Sequence, residues 1–454
     1  MIKYTHCGYF ICMSRNCPAC GLILMGGYAR RCGITAVRTA VRRRCGRTMR
    51  LEKRRKREMV NVAILGFGTV GSGVAEVLDV NAEQVAAGAG KDIRLKYIVD
   101  IRDFPGSPYQ KYMVRDFAVV EGDPDVQIVV ETIGGAKIAY EFTKRALLAG
   151  KSVVTSNKEL VATHGYELLQ IAQEKGVSYL FEASVGGGIP IIMPISQCLA
   201  ANKIDEIYGI LNGTTNYILT EMFKNGLPFG TALKQAQQNG YAEANPAADV
   251  EGHDACRKIS ILSSLCFGHH VYPDQVPTEG ITAVTGDDVE LAGRKGYKIK
   301  LLGRALTGGD GRVYAYVGPH LVPESNLIAG VEGVMNGIVV RGNAIGSVMF
   351  YGAGAGKLPT ASAVVSDVID AARHIGTGSR MPWGAGGAEY VGDANTLETA
   401  WYVRAKGGAA APQGAEQLGG VNGSEAWLMP KMSRSAAQAL TEGMDVQSMF
   451  RVLE

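Results

Sequence analysis

In the segment Gly240 to Lys258 the chain gathers Glu243, Asp249, Glu251, Asp254 and Lys258 around a helix start. Asp254 and Lys258 are four residues apart, and on a helix that spacing puts both side chains on one face, within reach of each other or of one small molecule. A carboxylate beside an ammonium can hold the polar groups of a ligand and exchange a proton with it. For that the lysine must hold its proton weakly, which partial burial and a neighbouring cation provide. Lys158, in Thr155-Ser156-Asn157-Lys158, is a candidate for that cation. The same pair also fits an exposed helical ion pair worth a fraction of a kcal/mol, so spacing alone leaves both readings open. His253 and His269-His270 have no spaced ligand partners and read as solvated or structural.

A second set of residues binds rather than reacts. Val62-Ala63-Ile64-Leu65 leads into Gly66-Phe67-Gly68-Thr69-Val70-Gly71, and Ser72 to Leu78 continues with helical apolar spacing. Strand, GxGxxG turn and helix in this order make a dinucleotide site: Gly66 for the turn, Gly68 for approach to the pyrophosphate, Gly71 for close packing of helix on strand. Leu95 to Asp100 reads as the next strand. Asp100 at its end suits the ribose 2′-hydroxyl of NAD, Arg102 suits the 2′-phosphate of NADP, and both also fit solvated loop charges. Val126 to Glu131, a helix from Tyr140 to Ala149 and Ser152 to Thr155 continue the strand–helix alternation of a parallel sheet. Thr132 joins the expected cofactor contacts, Gly134-Gly135 would face its nicotinamide half, and Lys158 stands where ligands of open α/β sheets collect.

The elements that position these residues belong to a chain of 454 residues, 46% hydrophobic, enough for two or three globular domains. No stretch approaches the roughly 18 apolar residues that a membrane-spanning helix needs. Basic residues crowd into 1–58, where Glu52 and Glu58 are the only acids, so the remainder is mildly acidic and a nucleic-acid surface is not expected. That leader holds six of the nine cysteines, including the isolated knuckle-spaced pair Cys17 and Cys20. It reads as a disordered or over-extended segment before a natural start at Met59, with an organellar targeting peptide as the alternative. Cys198, Cys256 and Cys266 leave the body looking reduced and cytoplasmic.

Five motifs in order, GFGTVG (66–71), TSNK (155–158), EASVGGGIPII (182–192), NGTTNYILTEM (212–222) and GYAEANPAADVEGHDACRK (240–258), with YGAGAGKLPTASAVVSD (351–367) after them, resemble the homoserine dehydrogenases from Met59 to about Ile375. The resemblance implies NAD(P)-dependent interconversion of homoserine and aspartate semialdehyde on the way to threonine and methionine. It implies an α/β fold: a Rossmann domain at 59–190, completed by 345–376, and an α+β substrate and dimerisation domain with a mostly antiparallel sheet at 191–344. It also implies that Gly240, Glu243 and Asp254 hold the substrate and that Lys258, with Lys158 beside it, exchanges the proton. Gly356 would touch the cofactor. A structural sodium or potassium ion would be held at Glu182, by side chain or carbonyl, and at the carbonyls of Val185, Gly187 and Ile189. The partners are homoserine and a second copy of the chain, as a dimer or tetramer.

Residues 377–454 read as a Gly/Ala-rich flexible linker with a small appendage: a strand at 399–405, then strand, helix (Ser433 to Leu440) and strand. This is about half of the βαββαβ amino-acid-sensing ACT domain that many family members carry. Two other readings fit parts of the chain. A related semialdehyde dehydrogenase would need a catalytic cysteine, and neither Cys198, Cys256 nor Cys266 has the setting of a nucleophile. A non-catalytic dinucleotide-binding redox sensor would not need Lys158, Glu243, Asp254 and Lys258, all of which are present.

Overall fold

A computed structural model describes residues 57–381 and 383–454. The leader through residue 56, with Cys17 and Cys20, lies outside the described residues. The first sheet contains β1 (Met59–Leu65), β2 (Asp92–Val99), β3 (Met113–Val114), β4 (Val126–Glu131), β5 (Ser152–Thr155) and β6 (Tyr179–Leu180). All six run parallel in the order β3-β2-β1-β4-β5-β6. The order reverses between β1 and β4, which opens the crevice where dinucleotides bind in such sheets.

Their sequences are near-continuous apolar runs because both faces are covered. Val62, Ile64, Ile128, Val130 and Val154 pack beneath the helices Thr69–Val80 and Lys357–Arg373. Ala63, Leu65, Val129 and Val153 face the opposite layer, which includes Lys137–Leu148 and Lys158–Lys175. The helix Lys357–Arg373 begins earlier than the Ala361 suggested by its apolar spacing. Pro359 falls in the first turn, where a missing N–H costs nothing.

The second sheet has nine strands in the order β11-β10-β7-β8-β9-β15-β12-β14-β13. They are β7 (Ile204–Ile210), β8 (Tyr297–Thr307), β9 (Val313–Pro323), β10 (Met335–Gly342), β11 (Gly346–Ala353), β12 (Thr399–Lys406), β13 (Glu416–Val421), β14 (Ser424–Met432) and β15 (Val446–Val452). Every pairing is antiparallel except β15 with β9. Thus β11 belongs to this second sheet, and of the segment 345–376 it is the helix Lys357–Arg373 that packs on the first. The expected return to the first domain at 345 therefore comes ahead of β11 and of the helix that makes it.

The C-terminal region also differs from its expectation. It is not a strand–helix–strand appendage on a loose linker but three strands, a helix (Arg434–Leu440) and a strand, joined to β9 in one continuous sheet. β13 escapes a reading by hydrophobic alternation because Glu416-Gln417-Leu418-Gly419-Gly420-Val421 is a half-exposed edge strand with two glycines. Pro430 is tolerated in β14 because pairing with β13 ends at Leu428, leaving that part of the strand at an edge. In the connection, Trp383 is buried against Phe181 and His270.

Candidate active site

The glycine turn after β1 is built by close contacts. Gly66 sits at φ +88°, and a Cβ on Gly71 would lie 2.0 Å from the Gly66 carbonyl oxygen, so nothing larger than glycine lets the helix Thr69–Val80 start there. Thr132 lies against the same turn and its hydroxyl donates to the carbonyls of Leu65 and Gly66 at 2.9 and 2.8 Å. Gly68 borders open space and the helix after it has no side-chain cap. An uncapped helix N-terminus behind Thr69 and Val70, with room above Gly68, fits a pyrophosphate.

Asp100 is where the sequence placed it, at the end of β2, but its carboxylate is already used. Oδ2 accepts from the Phe67 amide at 2.7 Å and from Arg102 Nη2 at 2.9 Å, while Oδ1 accepts from the Arg102 amide and Nε at 2.9 and 3.0 Å. The Arg102 side chain holds this carboxyl down to about 2, against burial. The Arg102 side chain itself remains 59% exposed, with its guanidinium over the Phe104 ring.

Across the crevice, a cleft of about 400 Å³ runs from Lys158 and the turn Ala353 to Gly356 to Asn212, Asp249, Asp254 and Lys258. Two helices bring the lysines together. Asn157 caps the first by accepting from the Leu160 amide, which sets Lys158 at its start, and its Nδ2 also donates to the carbonyls of Ile133 and Gly135. The second, His253–Phe267, lies on β8 over Gly303, where a Cβ would meet Leu211 at 2.8 Å and Ile259 at 3.1 Å.

Asp254 then joins the pair: its Oδ1 is 2.7 Å from Lys158 Nζ and its Oδ2 is 2.9 Å from Lys258 Nζ. Lys258 also donates to the Leu211 carbonyl at 2.6 Å, leaving one N–H for the cleft. Asp254 is 5% and Lys258 8% exposed, which removes the solvent-exposed reading of this i,i+4 pair. Burial pushes the Asp254 carboxyl up, but Lys258 and Lys158 outweigh it and hold it far below the carboxylate range. Burial pushes the Lys258 ammonium down, Lys158 adds to that, and Asp254 opposes it.

Gly240 and Gly356 both line the cleft, at φ +74° and +124°. Glu243 does not: it is on the exposed loop beside the cleft, with its carbonyl accepting from Gln237. Glu182 is buried and its carboxylate accepts the amides of Ile191, Ile192 and Met193 at 2.6 to 2.8 Å. Three of the carboxylate's acceptor positions are therefore taken by the loop's own backbone. The loop is anchored, since Gly188 donates to the Ala353 carbonyl and a Cβ on Gly187 would lie 2.3 Å from the Gly354 carbonyl oxygen. His253 pairs with exposed Glu251, His269 stacks on Tyr390, and buried His270 contacts the Ala162 carbonyl.

Sequence reasoning gave no role to Asn212, Thr214 or Tyr241, and none beyond placement to Asp249, yet all four line the cleft. Asparagine is a residue type that caps helices, but nothing local signals the contact of Asn212 with residues 37 and 42 positions away.

Residues 66–182 match the family model for the homoserine dehydrogenase NAD-binding domain, and residues 190–369 match that for homoserine dehydrogenase. The chain is 44% identical over 356 residues to the homoserine dehydrogenase of Pseudomonas aeruginosa, spanning 76% of this chain and 81% of that one. Against the homoserine dehydrogenase of Bacillus subtilis it is 39% identical over 324 residues, 70% of this chain and 74% of that one. The crystal structure of a homoserine dehydrogenase from Thiobacillus denitrificans aligns with a TM-score of 0.79 at 35% identity, covering 88% of this chain and 99% of that one. A hyperthermophilic archaeal homoserine dehydrogenase in complex with NADPH aligns with a TM-score of 0.58 at 28% identity, over 69% and 97%. Matched by both family models and by relatives along most of their length, the chain belongs to the homoserine dehydrogenase family.

Proposed function

We propose that the chain interconverts L-homoserine and L-aspartate 4-semialdehyde with a nicotinamide dinucleotide, a step toward threonine and methionine. The observation that carries this reading is the buried Asp254 carboxylate bridging Lys158 and Lys258 in a cleft whose opposite wall is the turn Ala353 to Gly356. When bound, the cofactor supplies or takes the hydride. Lys258 takes the hydroxyl proton during oxidation and returns it during reduction, and its weakened hold on the proton suits that exchange. Lys158 adds positive charge where the alkoxide develops, and Asp254 fixes both lysines. Gly240 supplies backbone at the substrate's polar end and Glu243, on the loop beside the cleft, takes its ammonium. Gly66 to Gly71, Thr132 and Gly356 hold the dinucleotide.

Absorbance at 340 nm with homoserine and NAD or NADP tests the reading. Wild-type turnover is expected, with a loss of roughly 10²- to 10⁴-fold in Lys258→Ala; folded wild-type protein inactive with both cofactors refutes the dehydrogenase reading.

The reading includes a structural sodium or potassium ion at the carbonyls of Glu182, Val185, Gly187 and Ile189, since hard oxygen donors suit such an ion. A higher melting temperature in sodium or potassium chloride than in N-methylglucamine chloride is expected, and equal melting counts against the ion. The family likeness supports a homodimer, to be checked by light scattering. The free thiols Cys198, Cys256 and Cys266 support a reducing, cytoplasmic setting, and among the described residues no helix is long and apolar enough to cross a membrane.

A further inference from the structure

Asn212 follows β7 and caps the helix Gly213–Asn225. Its Oδ1 accepts from the Thr215 amide at 2.9 Å and the Thr215 hydroxyl at 3.0 Å. Because an amide N–H must point at an oxygen, this fixes which way the side-chain amide faces, and its Nδ2 is turned into the cleft. There it donates to Asp249 Oδ1 at 2.7 Å and to Asp254 Oδ2 at 2.9 Å. Its neighbour Leu211 offers the carbonyl that accepts from Lys258. One turn of chain therefore holds Lys258, its anionic partner and a second carboxylate.

That second carboxylate is what gives the arrangement consequence. Asp249 lies on the short helix Ala247–Val250 and has no ion pair of its own among the described residues. Burial pushes its carboxyl up, Asn212 opposes the push, and Asp254 adds to it. The charged groups acting on Lys258 are Asp254 on its own helix, Lys158 on the helix Lys158–Lys175, and Asp249. Asp254 and Asp249 both favour the charged form of Lys258, and a neutral residue that gives one N–H to each carboxylate fixes where those two charges sit relative to the ammonium.

We infer that Asn212 is a positioning residue for the acid/base step, holding Asp249 and Asp254 in fixed places around Lys258 through its two amide hydrogens. The inference rests on the proposed dehydrogenase reaction. A role in capping alone is separable from it, because Asp and Ser cap helices about as well as Asn. Asn212→Asp keeps shape and cap, loses both donors and adds negative charge; Asn212→Ser keeps the cap with a single donor.

The test is the pH dependence of kcat/KM for homoserine oxidation in the full chain, alongside melting temperature and KM for the dinucleotide. Wild-type turnover comes first, and its absence overturns the dehydrogenase reading itself rather than this inference. Given turnover, both variants are expected to melt close to wild type, keep the dinucleotide KM and lose at least about 10-fold in kcat. In Asn212→Asp the rising limb moves to higher pH by about one pH unit, because Lys258 must lose its proton beside uncompensated anions. Asp249→Asn, which leaves the cap intact, moves the limb to lower pH. Unshifted limbs with wild-type kcat in both Asn212 variants overturn the inference and leave a helix cap only. Should both variants at 212 fail to fold, an unshifted limb in Asp249→Asn overturns it.

Discussion

Lys258 is in a place where a lysine is hard to keep charged, and what most favours its charged form is one carboxylate shared with Lys158. Sharing matters because Lys258 does not have Asp254 to itself: Lys158 adds to burial in weakening its hold on the proton, and Asp254 opposes both. The same reasoning applied to Asp100 gives a statement about cofactor choice. Its two oxygens accept four hydrogen bonds from Phe67 and Arg102, which leaves little capacity for a ribose hydroxyl, while the exposed guanidinium of Arg102 remains able to meet a phosphate. NADP is therefore expected to be preferred, and Arg102→Ala to raise KM for NADP at least about 10-fold with little change for NAD. Equal effects on the two KM values would remove Arg102 from 2′-phosphate recognition. The sequence showed both residues but left the choice open, because it does not say which atoms of Asp100 are already occupied. It likewise showed Asp254 and Lys258 on one face but not that the face is buried, and burial is what rules out an exposed surface ion pair.

At the scale of elements, the first sheet was readable because its rules are local. Apolar runs, glycine turns and alternating helices identify parallel strands, and β1, β4 and β5 fall where those signals are. β4 also carries a group whose effect is not local. Glu131 at its end is fully buried, and burial pushes its carboxyl up to about 7, against hydrogen bonds from Thr155 and the Ile133 amide. The folded state thus binds this proton more tightly than the unfolded state does. Its contribution to stability is present below the ordinary carboxyl range and lost as pH rises through about 7, worth roughly 3 kcal/mol in all. Burial weakens the hold of His270 and His320 on a proton, which acts in the opposite sense, so the difference between two proteins isolates Glu131. Glu131→Gln keeps an acceptor for Ile133 and a donor for Thr155. Between pH 5 and 8, urea denaturation of wild type is expected to fall relative to this variant by about that amount, and parallel curves would mean that Glu131 stays ionised throughout.

On the scale of the whole molecule, the C-terminal strands are part of the catalytic half's own sheet, and that was the least legible feature of the sequence. Gly- and Ala-rich segments carry little periodicity, and the pairing of β15 with β9 joins positions more than a hundred residues apart. What locks the junction is also invisible to pattern reading. Asp288, on the helix Gly286–Arg294, is fully buried, with Arg404 Nε of β12 at 2.7 Å from its Oδ1, the Tyr402 hydroxyl at 3.0 Å and the Ser448 hydroxyl at 3.0 Å from its Oδ2. Arg404 is itself 3% exposed and further held by Thr285 and Ser424. Replacing such a pair together is often tolerated, whereas removing one partner strands the other charge in the interior at a cost of roughly 3–5 kcal/mol. Arg404→Met is expected to lose about that much in urea denaturation, and the double variant Arg404→Met, Asp288→Leu to lose less than Arg404→Met alone. Because neither residue lines the cleft, turnover by the folded fraction should stay near wild type. A double variant at least as unstable as the single one would show that the junction is held by packing of Trp427, Tyr402 and Phe450 rather than by relief of a buried charge.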